Sequence, residues 1–465
     1  MRPLAFLLTV SLGLVLGALT VVTLSWLDQL PPALRPATVC PPQPKPCTER
    51  APKAAAPSAA APSRPPERVT EPAPTPKAEQ AIERYVVCES SQALPTLRLL
   101  RLDQNARPVA TVHCGQSVHV VAVDAVAGTL DAQRIIRIDT HAPTTDLLVQ
   151  PALVVASDVS ADGHADLLVP FWWQDKTGAP RGGSVYELVR DPSGGFAAPL
   201  LLSSVAARAV TAGHFDEAPG ADLALANLED ARVGRHSELV FVHGGPAPLK
   251  GQTFVLGNDV RDLAALDLDL DSRDDLVVAA QKPSVEVLYL AADATVRARA
   301  AVVTGETRQI LAADVDGDGH DDAVLVGEPL AVLLASPTTE PTAHSIAVNE
   351  PVRSVFPVDL NADGKLDLLV TTASSVVLLT QTTALHFEPK TLLALPGNLL
   401  PVSAAAISSD ADGHFALLVL ALEAGKPPVE LAMVALAPDL ELTPSWSAKP
   451  APLRDAPVGL HFVTR

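Results

Sequence analysis

Asp314-Val315-Asp316-Gly317-Asp318-Gly319-His320-Asp321-Asp322 is the stretch from which the fold of this chain can be read. Carboxylates stand at its positions 1, 3, 5 and 9, and Gly319 at position 6 permits the sharp turn that folds them inward. Hard cations such as calcium take about six to eight oxygens at about 2.3–2.6 Å, some from main-chain carbonyls, and this spacing supplies them. His320, at position 7, is expected to give its carbonyl oxygen, leaving its imidazole without a role. A helix–loop–helix calcium site needs glutamate at position 12, where Leu325 stands. The flanks Ile310-Leu311-Ala312-Ala313 and Ala323-Val324-Leu325-Val326 are short apolar runs, which predicts a buried strand on each side.

The stretch recurs. Asp359, Asn361, Asp363, Gly364, Lys365 and Asp367 repeat it ahead of Leu368-Leu369-Val370. Asp267, Asp269, Asp271, Arg273 and Asp275 repeat it ahead of Leu276-Val277-Val278, with Ser272 in place of the glycine. Asp158, Ser160, Asp162, Gly163, His164 and Asp166 repeat it ahead of Leu167-Leu168-Val169. Two copies are worn: the one from His214 to Asp222 lacks acidic residues at positions 1 and 5, and the one from Ser408 to Ala416 lacks them at positions 1 and 9. First positions at 158, 214, 267, 314, 359 and 408 are 56, 53, 47, 45 and 49 residues apart. A period of this size, built from short strands, signals an all-β propeller with one four-stranded blade per repeat.

On these motifs the chain resembles the FG-GAP/VCBS repeats, the calcium-loop β-propeller repeats also found in integrin α chains. The segments Ala313 to Val326 and Val358 to Val370 lie nearest to the family pattern. The resemblance implies a calcium-binding propeller, and it implies little about activity, because one fold carries many functions. Six loop-bearing blades and a closing one make seven, the expected count; counting residues 115–150 separately would make eight.

Outward from the repeats, three segments are expected. Pro3 to Leu27 is a 25-residue run without charge, and about 20 residues suffice to span a membrane. Residues 1–30 therefore read as an uncleaved signal-anchor, the more so because no small-residue cleavage site follows a shorter apolar core. Arg2 would stay cytoplasmic and the rest would be extracytoplasmic, membrane-anchored, or secreted if the segment is cleaved. Residues 31–80 contain 15 prolines and read as a semi-rigid linker with no core of its own. Cys40 and Cys47 lie within it and either close a small ring or bridge two chains. Residues 81–465 are the propeller. Tyr85-Val86-Val87-Cys88, Leu97 to Leu102 and Val109 to Val112 read as three outer strands of one blade, and Val458 to Val463 as a lone strand that helps close the ring. Cys88 and Cys114, on a translocated chain, are expected to pair.

The chain of 465 residues is 48% hydrophobic and only 4% aromatic, with net charge −19. Residues 81–465 hold 26 basic and 48 acidic side chains, net −22, and the six loops supply 21 of those carboxylates. Such clustering is repulsive unless cations sit among the oxygens, although Asp and Asn also favour turns by bonding their own backbone. For the 214 and 408 loops, turn-making is the better account. An acidic, aromatic-poor domain is a poor nucleic-acid partner. No His-x-x-x-His helix, P-loop, Gly-x-Ser-x-Gly, Cys-x-x-Cys or Gly-x-Gly-x-x-Gly is present. Phe171-Trp172-Trp173 is either packing or an exposed binding platform. The expected function is a non-enzymatic recognition or adhesion scaffold for a protein or carbohydrate ligand. The alternative is a hydrolase or lyase with its site on the propeller face or in the central channel.

Overall fold

The structure, a computed structural model, describes residues 80–452 apart from 89–93, 101, 103–108, 125–128, 139–145, 191–194, 217–219, 229–236, 243–252, 257–259, 281–283, 338–339, 396, 409–414, 424–425, 437–443 and 447–450. The apolar segment 3–27, the proline-rich linker with Cys40 and Cys47, and Val458 to Val463 lie outside the described residues. Among the described residues no helix is long and apolar enough to cross a membrane.

Strand β1 (Gln80–Cys88) comes first in the chain and last in the architecture. Sheet one follows as β2 (Thr96–Leu100), β3 (Val109–His113), β4 (Ser117–Asp124) and β5 (Thr129–Arg137). Sheet two splits its first strand into β6 (Leu148–Pro151) and β7 (Val155–Ser157), which both pair with β8 (Asp166–Gln174), followed by β9 (Pro180–Leu188) and β10 (Leu200–Ser203). Sheet three is β11 (Ala207–Gly213), β12 (Asp222–Leu228), β13 (Ser237–Val242) and β14 (Thr253–Leu256). Sheet four is β15 (Val260–Leu266), β16 (Asp275–Ala280), β17 (Ser284–Leu290) and β18 (Val296–Val303). Sheet five is β19 (Glu306–Ala313), β20 (Asp322–Glu328), β21 (Leu330–Leu333) and β22 (Ala343–Ile346). Sheet six is β23 (Ser354–Val358), β24 (Asp367–Thr371), β25 (Ser375–Thr383) and β26 (His386–Ala394). Sheet seven takes β27 (Leu399–Ser408), β28 (Phe415–Glu423) and β29 (Lys426–Leu436) from one end of the chain and β1 from the other, with β30 (Pro444–Trp446) and β31 (Ala451–Pro452) beside β1.

The second strand of each sheet explains the apolar runs after the loops. Residues of β12, β16, β20 and β24 are buried almost throughout, because each strand is covered on both faces. One apolar cluster fills each gap between neighbouring sheets. Leu276 and Leu288 meet Ala224 between sheets four and three, Val277 and Val287 meet Leu325 between four and five, and Val324 meets Leu368 between five and six. The same holds between six and seven, one and two, and two and three. The remaining cluster joins Leu418 and Leu431 of sheet seven to Leu97 and Ala110 of sheet one, and it closes the ring. A closed ring of four-stranded sheets is a β-propeller.

Two expectations need correction. The strands around Tyr85, Leu97 and Val109 form, but not as the outer part of one blade: β1 belongs to sheet seven, while β2 and β3 are the first two strands of sheet one. Residues 115–150 are no blade of their own; β4 and β5 complete sheet one, and Leu148 opens sheet two. The reason is hydrogen bonding at long range. β1 pairs with β29 from Glu83–Met433 to Cys88–Val429, a partnership that no local pattern announces. Cys88 and Cys114 do form a disulfide, with Cα atoms 5.7 Å apart, tying sheet seven to the end of β3.

A further regularity sits at the start of the first strands. Register shifts fall between Ala207 and Ala209, Val260 and Asp262, and Thr307 and Gln309, so the residue in the bulge is Arg208, Arg261 or Arg308. Arg353 has the corresponding place in sheet six, where its N–H donates to the carbonyl of Thr371, the partner of Ser354. Bulges re-aim a side chain, and three of these arginines reach the neighbouring sheet. Arg208 lies over the Trp172 ring at 5.8 Å, Arg261 pairs with Glu306, and Arg353 donates to the carbonyl of Pro401 at 3.2 Å. Arg308 stays in its own sheet on Glu328, at 3.1 Å.

Candidate metal centre

The Asp loops starting at 158, 267, 314 and 359 each connect the first strand of their sheet to the second, at the end opposite that of the bulged arginines, so these four lie on one face of the ring. The backbone explains the spacing. Positions 4 and 6 both have positive φ in all four well-formed loops: Ala161 and Gly163, Leu270 and Ser272, Gly317 and Gly319, Ala362 and Gly364. Two left-handed residues in three tighten the turn until the position-1 carboxylate reaches across it. Asp158 accepts hydrogen bonds from the N–H of Asp162 (3.0 Å) and Gly163 (2.9 Å), and Asp267 from Asp271 (2.9 Å) and Ser272 (2.8 Å). Asp314 accepts from Gly317 (2.8 Å) and Gly319 (3.0 Å), and Asp359 from Asp363 (3.2 Å) and Gly364 (3.0 Å). Position 5 repeats this on a smaller scale: Asp162, Asp271, Asp318 and Asp363 accept the N–H of His164, Arg273, His320 and Lys365.

The position-9 aspartates carry a role that the spacing did not reveal. Asp166, Asp275, Asp322 and Asp367 are buried, as is Asp222 of the worn loop. Asp322 Oδ2 accepts from Val315 N–H and Oδ1 from Ala335 N–H, both at 2.9 Å. Asp367 likewise straps Leu360 (3.3 Å) to Gln381 (2.9 Å), and Asp166 straps Ser160 (3.2 Å) to Arg190 (3.0 Å). These three carboxylates thus tie their loops to the end of the third strand. The signal was in the worn loop, which keeps Asp222 while lacking acidic residues at positions 1 and 5; there Asp222 accepts from Phe215 N–H at 3.0 Å. Burial raises the Asp322 and Asp367 carboxyls above the usual range, and main-chain donors oppose that shift. Asp275 is pushed up to about 7, by burial first, against the Leu290 N–H, with Asp269 and Asp271 adding repulsion.

Among the described residues, two sets bring one carboxylate oxygen each to within 4.8 Å of the others: Asp314, Asp316, Asp322 and Asp267, Asp269, Asp275. In the other two loops the third position is Ser160 or Asn361, which offer neutral oxygens. Asp275 Oδ1 accepts from Leu290 N–H at 3.0 Å, but its Oδ2 has no partner although buried, and neither has Asp269 Oδ1. Unpartnered buried carboxylate oxygens are costly, and a hard cation is the group that the donor set fits. The 314 and 359 loops enclose a cleft of about 710 Å³ lined by Asp314, Asp316, Asp359, Lys365, Gln381 and Pro357. Gln381 Nε2 donates to the carbonyl of Val315 at 2.7 Å and so joins the two loops.

Trp172 and Trp173 are packed. Trp173 is buried against Phe171 (6.1 Å between ring centres), and Phe171 stacks on Tyr186 at 5.6 Å. A side chain at Gly182 would collide with the Trp173 ring at 2.8 Å, so the glycine makes room for it. Trp172 lies half-buried beneath Arg208.

No protein-family description matches this chain, and no curated protein matches it in sequence. Among solved structures it resembles BBS1N, crystallised in complex with ARL6DN (10% identity, TM-score 0.45, 75% of this chain and 94% of that one). It also resembles an Agrocybe aegerita lectin that recognises non-reducing terminal N-acetylglucosamine (13%, 0.41, 70% and 89%). A third is the exotype rhamnogalacturonan lyase YesX (14%, 0.40, 70% and 64%). The propeller assignment rests on the sheet topology above.

Proposed function

We propose that this chain is a calcium-stabilised propeller of the FG-GAP/VCBS type, held outside the cytoplasm and acting as a non-enzymatic recognition scaffold for a protein or carbohydrate. The observation that carries the reading is the carboxylate set Asp314, Asp316 and Asp322, brought within 4.8 Å on a loop whose turn is built from two left-handed glycines. Calcium is proposed at the loops starting at Asp158, Asp267, Asp314 and Asp359, where it neutralises the oxygens and fixes the loops on one face. Its part is structural. The disulfide Cys88–Cys114 supports an oxidising compartment, and the uncharged run Pro3 to Leu27 supports a membrane anchor. The recognition reading is preferred to the catalytic one because the carboxylates at positions 1, 5 and 9 of the four loops already accept main-chain hydrogens.

Extracellular calcium modules bind at about 0.1–1 mM, so millimolar calcium adds about 0.4–1.4 kcal/mol per loop by mass action. The test is calorimetric titration with calcium, together with thermal melts in calcium and in chelator. Binding heat and a melting temperature several degrees higher in calcium are expected, with Asp318→Ala lowering the stoichiometry by about one. Identical melts and no heat would reduce the loops to acidic turns.

A further inference from the structure

In the 267 loop a cation from another strand of the sheet already reaches two of the carboxylates, whereas in the 359 loop the loop's own Lys365 lies 3.7 Å from Asp363 and donates outward to the carbonyl of Thr382. Arg297, in β18, stacks its guanidinium over the Tyr289 ring at 5.8 Å, and its Nε donates to the carbonyl of Leu290 at 3.0 Å. These two contacts aim Nη2 into the loop, where it bonds Asp269 and also reaches Asp271 Oδ2 at 3.0 Å. Among the described residues, no arginine is so placed in the 314 loop, whose three carboxylates converge without one.

The guanidinium answers only part of the charge. It is planar and carries a single positive charge, and Arg273 adds one more at 3.6 Å from Asp271, whereas Asp267, Asp269, Asp271 and Asp275 bring four carboxylates. Two buried oxygens, Asp269 Oδ1 and Asp275 Oδ2, stay without partners while Nη2 occupies the loop. Asp275 is fully buried, and the Asp269 side chain is 6% exposed. A divalent ion would satisfy both oxygens, but it needs the space and the Asp269 and Asp271 oxygens that Nη2 now uses.

We propose that Arg297 is an internal counter-ion that competes with divalent cations for Asp269 and Asp271, making this loop the weakest cation site of the four and the least dependent on calcium for its shape. This rests on the reading of the loops as cation sites. Removing the arginine should convert the loop into a tight site, while conserving the ligands themselves. A charge-assisted hydrogen bond to a carboxylate is worth about 1.5–3 kcal/mol, so affinity at this loop should rise on the order of tenfold or more.

The experiment titrates the full-length chain with calcium as wild type, Arg297→Gln and Arg297→Lys, with a melt of each in chelator. Arg297→Gln should bind one more ion in the measured range, melt below wild type in chelator, and recover that deficit in calcium. Arg297→Lys keeps the charge but loses the fork and the Leu290 bond, so its gain should be smaller; it also serves if the glutamine variant does not fold. Equal stoichiometry and affinity in all three, with calcium bound, overturns the competition and leaves the loops as cation sites. Calcium bound by none of them overturns both readings.

Discussion

Asp322 and Asp318 sit four residues apart in one loop, yet the geometry assigns them different work. Asp322 is buried with both oxygens taken by main-chain N–H groups, whereas Asp318 accepts from His320 and faces solvent. Asp322→Asn turns one acceptor into a donor opposite a buried N–H, which should cost about 1–3 kcal/mol even in chelator. Asp318→Asn should cost little in chelator and weaken calcium binding. Denaturant unfolding of both variants, with and without calcium, separates the strap that Asp322 adds to its place in the carboxylate set from the ligand role of Asp318; equal losses in chelator would contradict the division. The backbone gives a parallel case. Nothing lies within 4 Å of a Cβ placed on Gly319, so Gly319→Ala tests φ alone. A left-handed L-residue costs about 1–2 kcal/mol, and Ser272→Gly, relieving the same conformation at φ 70° in the 267 loop, should stabilise by about 1 kcal/mol. No change for either in equilibrium unfolding would mean that the loops relax.

At the scale of the element, sheets two to seven are each a strand, an acidic loop and a second strand, with apolar clusters on both sides. Leu325 of β20 is fully buried between sheets four and five. Leu325→Ala should cost about 2–5 kcal/mol, read by denaturant unfolding, far more than loss of the exposed Arg308–Glu328 pair, about 0–1 kcal/mol. This contrast also marks what the sequence could tell. Strand–loop–strand units were legible because the same spacing recurs and because doubly covered strands read as unbroken apolar runs. The bulges at Arg208, Arg261 and Arg308 leave no trace in the apolar pattern, although the arginine stands at the same distance before each loop. Arg297 was out of reach: it meets Asp269 only because β18 folds back beside the loop. The partnership of β1 with β29 was hidden for the same reason, since short apolar strands do not name distant partners.

For the molecule as a whole, ring closure and the buried charges inside it set two further expectations. Asp262, on the first strand of sheet four, is buried, accepts from Ile310 N–H at 2.8 Å, and feels the positive charge of Arg98 on sheet one. Burial pushes its pKa up to about 6, partly opposed by the Ile310 and Leu263 N–H groups and by Arg98. The folded state therefore holds a proton that the unfolded state has lost, so this group's contribution to stability is greatest below about pH 4 and declines as pH rises through about 6. Asp262→Asn should flatten that decline in unfolding free energy between those limits; an unchanged slope would assign it to other groups. Cutting the Cys88–Cys114 bridge, with its separation of 26 residues, should cost about 3–4 kcal/mol in the loop-entropy picture. Unfolding of the double serine variant measures this directly.

The bridge has a mechanical consequence as well. A pull on the chain ahead of Gln80 runs along β1, which lies antiparallel to β29 and parallel to β30 and β31, so its hydrogen bonds share the load in shear instead of opening one at a time. If β1 does come away, it releases only its own length before tension meets Cys88. From there the force passes through the covalent bond to Cys114, and β2 and β3, lying between the two cysteines, are shunted out of the line of tension. A tether at this end therefore pulls on a short fuse backed by a covalent stop.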